Sequence, residues 1–263
     1  MSRNSPVRIV RVDLDGRPRW GLVEGDTVYG LQGEVFGRYG RGEELGTLDT
    51  LRLLPPTTPT KIVCVGLNYR AHAEESQMAL PAEPLLFFKP PSSLIGAGDY
   101  IILPPQSQRV DYEAELAVII GRRCRNVTPQ EAWHYVWGVT CGNDITARDL
   151  QRRDNQWTRA KGFDTFCPLG PWMIYAPDEA DVADLEVICR VNGQVRQRGR
   201  TTDMVFSPAQ LIAYIASIMT LEPGDVIMTG TPAGIGPLSP GDLVEVEVEG
   251  IGVLCNPVKA ADR

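Results

Sequence analysis

Asp111-Tyr112-Glu113-Ala114-Glu115-Leu116-Ala117-Val118-Ile119-Ile120 is the stretch from which the fold of this chain is read. A β-strand turns successive side chains to opposite faces, so Glu113 and Glu115 share one face, with their Cβ atoms close enough for the carboxylates to repel. Residues 116–120 are apolar on both faces, the pattern of a strand that runs into a core. Residues 243–249 make the contrast, because Val244, Val246 and Val248 alternate with Glu245, Glu247 and Glu249 as in a strand with one solvated face. Two like charges entering a core side by side want a cation, whereas a pair on a solvated face needs none. Spacing alone leaves both readings open.

Most elements on either side of that stretch are also strands. Residues 7–12, 20–23 and 28–31 read as a small β-meander, separated by Asp15-Gly16 and Gly25-Asp26 turn signals. Leu54-Pro55-Pro56-Thr57-Thr58-Pro59 favours extended backbone and disfavours helix, which puts a domain boundary near Thr60. Residues 1–59 are then a small N-terminal β-rich domain with its Pro-rich linker, and residues 60–263 a larger domain. Strands are expected there at 61–67, 101–103 and 225–228, with a hairpin of 185–191 and 195–198 around Asn192-Gly193. Two helices are marked by their caps. Thr128-Pro129-Gln130-Glu131 opens one through Trp137, and Ser207-Pro208-Ala209-Gln210 opens another through Met219, with Leu211, Ile212, Ile215, Ile218 and Met219 at helical spacing. Few helices, many strands and no regular alternation of the two indicate a β-rich α+β fold with mixed or antiparallel sheets.

The 263 residues are 43% hydrophobic and 22% charged, enough apolar side chain for a real core. The formal charge of −7 has the wrong sign for a partner of nucleic acid. Six scattered cysteines form no C-x-x-C pair, the N-terminus lacks the apolar stretch of a signal peptide, and no run approaches the ~18 apolar residues of a membrane span. A reduced, cytoplasmic protein without membrane contact is the expectation. Only two histidines are present, His72 and His134, so a multi-histidine metal site is excluded and a cation would rest on carboxylates.

Asp144 is the third carboxylate of interest. Thr146-Ala147-Arg148-Asp149 fits a helix cap followed by an acid better than any frame that starts at Asp144, which leaves Asp144 free for another role. Three carboxylates with few other ligands suit a hard ion such as Mg²⁺ or Mn²⁺. His72 and Glu75 are three apart, so a helical turn puts imidazole beside carboxylate, as a general base requires. His134 has aromatic neighbours and no nearby acid, and reads as structural. Arg148, Arg152, Arg153, Arg159 and Lys161, with Trp157 and Phe163 among them, suggest a pocket for an anionic small molecule. Thr229-Gly230-Thr231-Pro232-Ala233-Gly234-Ile235-Gly236 could aim backbone N–H groups at a carboxylate, or be a plain glycine-rich turn.

Taken in order, six blocks resemble the fumarylacetoacetate hydrolase family: residues 66–72 (Gly-Leu-Asn-Tyr-Arg-Ala-His), 87–90 (Phe-Phe-Lys-Pro), 111–116, 142–151, 161–164 (Lys-Gly-Phe-Asp) and 229–234. The resemblance covers nearly all of residues 61–258. It implies a β-rich mixed-sheet roll, usually a homodimer, with Mg²⁺ or Mn²⁺ held by Glu113, Glu115 and Asp144. It also implies a His72–Glu75 dyad on a mobile lid and Lys161 at the substrate. Arg70 and Gln151 are further candidates for substrate contact, and Thr231 with the neighbouring amide of Gly230 is a candidate to hold a substrate carboxylate. Within the family the chain looks most like bacterial 2-hydroxyhepta-2,4-diene-1,7-dioate isomerases and 5-oxopent-3-ene-1,2,5-tricarboxylate decarboxylases. Isomerisation or decarboxylation of a small 2-oxo dicarboxylic acid in aromatic-compound catabolism is the implied activity. Acylpyruvate hydrolases and oxaloacetate decarboxylases share the same motifs, and a noncatalytic β-rich protein stabilised by a cation is the reading outside enzymes.

Overall fold

The structure is a computed structural model that describes residues 7–175 and 177–262. The 111–120 stretch does form strand, but in two pieces, Val110–Tyr112 and Ala114–Ile120, with Glu113 between them. The two pieces belong to different sheets. Val110–Tyr112 is the middle strand of a three-stranded sheet, between Thr146–Ala147 and Gly236–Pro237, whereas Ala114–Ile120 pairs with Val136–Asn143 and Val226–Met228 in a twelve-stranded sheet. Side chains of the second piece are buried on both faces, as the apolar run predicts. Leu116, Val118 and Ile120 pack with Val187, Val246 and Ile212 on one side, and Ala117 and Ile119 pack with Ile62, Trp137 and Met228 on the other.

The large sheet runs in the order Tyr39–Thr47, Thr27–Gly33, Arg17–Glu24, Arg8–Leu14, Cys167–Tyr175, Val136–Asn143, Ala114–Ile120, Val226–Met228, Ile62–Gly66, Leu85–Lys89. The N-terminal meander thus extends the central sheet through Arg8↔Ile174 and Ile9↔Met173. Pairing is mainly antiparallel, with parallel pairs where Ile62–Gly66 meets Val226–Met228 and where Ile101–Leu103 meets Gly252–Ala260. A five-stranded sheet, Gln194–Arg200, Glu186–Val191, Leu243–Val248, Gly252–Ala260 and Ile101–Leu103, packs its valines against the same core. The architecture is therefore the expected β-rich α+β mixed-sheet roll with an N-terminal β-meander.

Local expectations fare unevenly. Asn192 and Gly193 take φ of 52° and 75°, the left-handed pair that a two-residue hairpin turn needs, and Val191 pairs with Gln194 across it. The helix Pro208–Ile218 opens with the expected reciprocal cap, Gln210 N donating to Ser207 Oγ at 3.4 Å and Ser207 N donating to Gln210 Oε1 at 2.8 Å. Ile218, however, sits at the end of its apolar stripe and is exposed. The meander has a further strand, Tyr39–Thr47, in a stretch too rich in glycine and charge to announce itself. The helix opened by Thr128 is confined to Pro129–Ala132, followed by a 3-10 turn at Trp133–Tyr135, because Val136 and Trp137 already belong to a strand. His134 is exposed on that turn, so packing does not explain it.

Asp225 ties the end of the Pro-rich segment to the strand that leads into the site. Its fully buried carboxylate accepts from Thr60 N at 3.0 Å, Thr60 Oγ1 at 2.7 Å, Lys61 N at 3.1 Å and Glu222 N at 2.8 Å, and pairs with Lys61 Nζ. The six cysteines are all free. Among the described residues, no helix is long and apolar enough to cross a membrane.

Candidate active site

The break at Glu113 is what builds the site. Glu113 N donates to Asn143 Oδ1 at 2.9 Å, and Asp144 N donates to Glu113 O at 2.9 Å, so the turn after Val136–Asn143 is stapled to the residue between the two strand pieces. Glu115, one residue into the second piece, faces the same way. The carboxylates of Glu113, Glu115 and Asp144 consequently converge, with one oxygen from each within 4.8 Å of the others, and all three residues are at most 4% exposed. Thr146 does not cap the following helix as expected. Arg148–Arg153 has no side-chain cap, and Thr146 Oγ1 instead donates to Asp144 O at 2.9 Å, fixing the turn that carries Asp144.

Buried cations surround this triad. Lys161 Nζ bridges Glu113 Oε2 at 2.9 Å and Asp144 Oδ2 at 2.6 Å. Lys89 Nζ holds Asp144 Oδ1 at 2.5 Å and Ile145 O at 2.9 Å. Arg148 pairs with Glu113 Oε1 through Nη2, with Asp111 Oδ2 through Nε at 3.0 Å, and with Gln151 Oε1 through Nη1 at 2.6 Å. Arg109 closes the chain with two bonds to Asp111, at 2.8 and 3.1 Å. Burial pushes the Glu113 carboxyl up, but the charges of Lys161 and Arg148 outweigh it and hold that carboxyl well below the ordinary range. Burial likewise opposes the charged form of Lys161, and Asp144 and Glu113 more than compensate, raising it.

Glu115 is the odd member. Among the described residues no cationic side chain is bonded to it, and its partner is the amide of Gly230, which donates to Oε2 at 2.7 Å. Burial first, and then the charges of Asp144 and Glu113, raise its carboxyl well above the ordinary value. An all-oxygen donor set of three buried carboxylates, one of them left short of positive charge, fits a hard divalent cation and would suit neither zinc nor copper as well. Cation binding then has to displace the proton on Glu115. A group with a raised carboxyl value is still protonated where an ordinary glutamate has ionised, so affinity climbs with pH by up to about tenfold per unit until the raised value is passed. Calorimetric Mn²⁺ titrations between about pH 5.5 and 7.5, in buffers of differing ionisation enthalpy, should register both the slope and the released proton. A flat affinity with no proton release would show that the Glu115 carboxyl is already ionised when the cation arrives.

His72 stands on the short helix Arg70–Glu75, with Nδ1 3.3 Å from Glu75 Oε2. Glu75 also accepts the amide of Gly234, at 3.2 and 3.1 Å. A carboxylate on Nδ1 selects the tautomer with its proton there, which leaves Nε2 with a lone pair. His72, Glu75 and the triad line one cavity of about 390 Å³. Its walls are apolar at Leu67, Met78, Phe87, Trp157 and Ile235, and Phe87 stacks edge-on to Trp157 and lies 4.7 Å from the Lys161 ammonium.

The residues expected from sequence are therefore mostly gathered. His72, Glu75, Glu113, Glu115, Asp144, Gln151, Lys161 and Thr231 all line the cavity. Arg70 does not. It is exposed and lines a different cavity beside Arg198 and Asp203. The donors of the 229–236 loop are turned to the protein itself. Gly230 N serves Glu115, Gly234 N serves Glu75, and Thr231 Oγ1 donates to Ala114 O at 2.8 Å while accepting from Gln197 Nε2 at 2.8 Å. In the arginine-rich segment, Arg148, Arg152 and Lys161 reach the cavity, while Arg159 pairs with Asp154 in solvent. Arg109 and Lys89 were not singled out as site residues, and Lys89 was legible only as part of its Phe-Phe-Lys-Pro block.

Comparison with known proteins gives the family. Residues 61–259 match the family model described as "Fumarylacetoacetate (FAA) hydrolase C-terminal", and residues 7–56 match "Rv2993c-like, N-terminal". The chain is 46% identical over 215 residues to the human mitochondrial oxaloacetate tautomerase FAHD2A, covering 78% of this chain and 68% of that one. A 2-hydroxyhepta-2,4-diene-1,7-dioate isomerase structure from Mycobacterium marinum superposes with a TM-score of 0.89 at 40% identity, covering 98% of this chain and 100% of that one. A 5-carboxymethyl-2-hydroxymuconate delta-isomerase structure from Mycobacterium smegmatis gives 0.88 at 41% identity, with 97% and 100% covered. A β-rich roll whose strand breaks at Glu113, in a chain matched over 61–259, places this protein in the fumarylacetoacetate hydrolase family.

Proposed function

We propose that the chain is a Mg²⁺- or Mn²⁺-dependent enzyme that moves a proton between the enol oxygen and the conjugated carbon chain of a small 2-oxo dicarboxylic acid. Isomerisation of 2-hydroxyhepta-2,4-diene-1,7-dioate and keto–enol exchange of oxaloacetate are both reactions of that kind, and relatives bearing those activities in their names are 40 and 46% identical to it. The observation that carries the reading is a single imidazole, oriented by Glu75, on the wall of a cavity floored by Glu113, Glu115 and Asp144. A cation-binding protein without catalysis has no use for that base.

Glu113, Glu115 and Asp144 would hold the cation. A bound divalent ion supplies Lewis-acid polarisation of the 2-oxo group, typically worth several kcal/mol. The rest is done by side chains of this protein. His72 Nε2 carries the proton between the enol oxygen and a carbon conjugated with it, breaking the O–H bond and forming the C–H bond or the reverse, while Glu75 on Nδ1 keeps the ring in the required tautomer and offsets the charge it gains. The Lys161 ammonium, buried against Phe87, stands ready to balance negative charge as it develops on oxygen. Leu67, Phe87, Trp157 and Ile235 keep bulk water from the reacting carbon.

A panel of 2-oxo acids, followed by loss of enol absorbance with Mg²⁺, with Mn²⁺ and with chelator, tests the reading. Turnover of 2-oxo dicarboxylates that chelator removes and either ion restores is expected. Turnover indifferent to chelator, or none on any 2-oxo acid, would sink it.

A further inference from the structure

Of the cationic side chains around the cavity, Lys89, Arg109, Arg148 and Lys161 are each bonded to a carboxylate. Arg152 lines the same cavity, and among the described residues it has no carboxylate or hydrogen-bond partner. It is exposed, while the four buried or clamped cations lie deeper or on Asp111. Arg109 is the other exposed guanidinium of the wall, 42% accessible, with Nε and Nη2 spent on Asp111 and Nη1 left over. The same cavity carries apolar lining at Met78, Trp157 and Ile235. The five cations balance the five carboxylates Glu75, Asp111, Glu113, Glu115 and Asp144, so a divalent ion gives the site a charge of about +2, which a dianion cancels.

We propose that Arg152, seconded by Arg109, is the specificity-determining residue that selects 2-oxo acids with a second, distal carboxylate. The floor takes the 2-oxo acid end, the apolar wall takes the carbon chain, and Arg152 takes the far carboxylate without first having to release one of the protein's own. An arginine already paired would have to break that pair to bind substrate. Arg152 has none to break, and its planar fork can hold a carboxylate through two bonds. This selection rests on the 2-oxo acid reading above, and it is tested so that the two can fail separately.

Two readouts are needed. Turnover is compared for oxaloacetate and its 4-methyl ester, which differ in the distal charge. Binding is compared calorimetrically, in Mn²⁺, for 2-oxoglutarate and 2-oxopentanoate, which differ in the same way and give an answer without turnover. Arg152→Gln should lower the preference for the diacid about tenfold in both comparisons, mainly through KM, and leave the monoacid member of each pair unchanged. Arg152→Lys should recover part of the preference, and salt should shrink it in the wild type. Equal losses on both members of a pair, or an unchanged preference, would overturn the proposal. Should the wild type turn over no 2-oxo acid while Arg152 still governs the binding preference, the reaction fails and the selection stands. Should turnover occur with a preference indifferent to Arg152, the reverse holds.

Discussion

Alanine at Glu113 should abolish cation-dependent turnover, by about a thousandfold or more, and weaken Mn²⁺ binding by at least about a hundredfold. The size follows from geometry, because among the described residues Glu113 is one of three carboxylates that converge, and the strand break gives no neighbour that can replace it. The fold should survive. Arg148 keeps Asp111 and Lys161 keeps Asp144, so neither buried cation is stranded by the loss. Unchanged circular dichroism beside lost Mn²⁺ binding is the expected combination, and full activity with normal Mn²⁺ affinity would remove Glu113 from the site.

Alanine at His72 should do the converse, lowering kcat by about 10²- to 10⁴-fold and leaving Mn²⁺ affinity within about threefold of the wild type. His72 makes no hydrogen bond to Glu113, Glu115 or Asp144, and Glu75 retains Gly234 N when the ring is gone. Glu75→Gln, which weakens orientation of the imidazole without removing it, should lie between, with about a tenfold fall in kcat and an altered pH–rate profile. A His72→Ala enzyme with normal kcat would assign the proton transfer to another group.

Glu113 and Glu115 were legible because strand parity depends on one residue type after another and on nothing distant. Asp144 is legible because Thr146 fits the cap pattern better, although the structure uses Thr146 differently, to brace the Asp144 carbonyl. Lys89 carries no such local sign. It meets Asp144 across 55 positions of chain because Leu85–Lys89 folds onto the sheet edge and brings its last residue inward, and a lysine before two prolines looks like surface. Arg109 and Arg152 differ from other surface arginines only by what they face. Arg70 shows the same limit from the other side, since a helical turn fixes the His72–Glu75 spacing but not which face looks into the cavity. The capping box at Thr128 fixed where a helix begins and said nothing of its end, which tertiary packing of Trp137 decides.

The loop of residues 229–236 gives one amide to Glu115 and another to Glu75. One short segment is thus wired to two instruments, so that a substitution there would move the cation titration and the pH–rate profile together. A mutant at Gly230 or Gly234 judged by rate alone would be misassigned, as a damaged base or a damaged ion site according to the assay chosen. Gly230, at φ 101°, has room for no Cβ, which would come within 2.7 Å of the Asn68 side chain, so even alanine displaces the amide that holds Glu115. Correlated phenotypes, not additive ones, are the signature this loop should leave in any mutational survey of the protein.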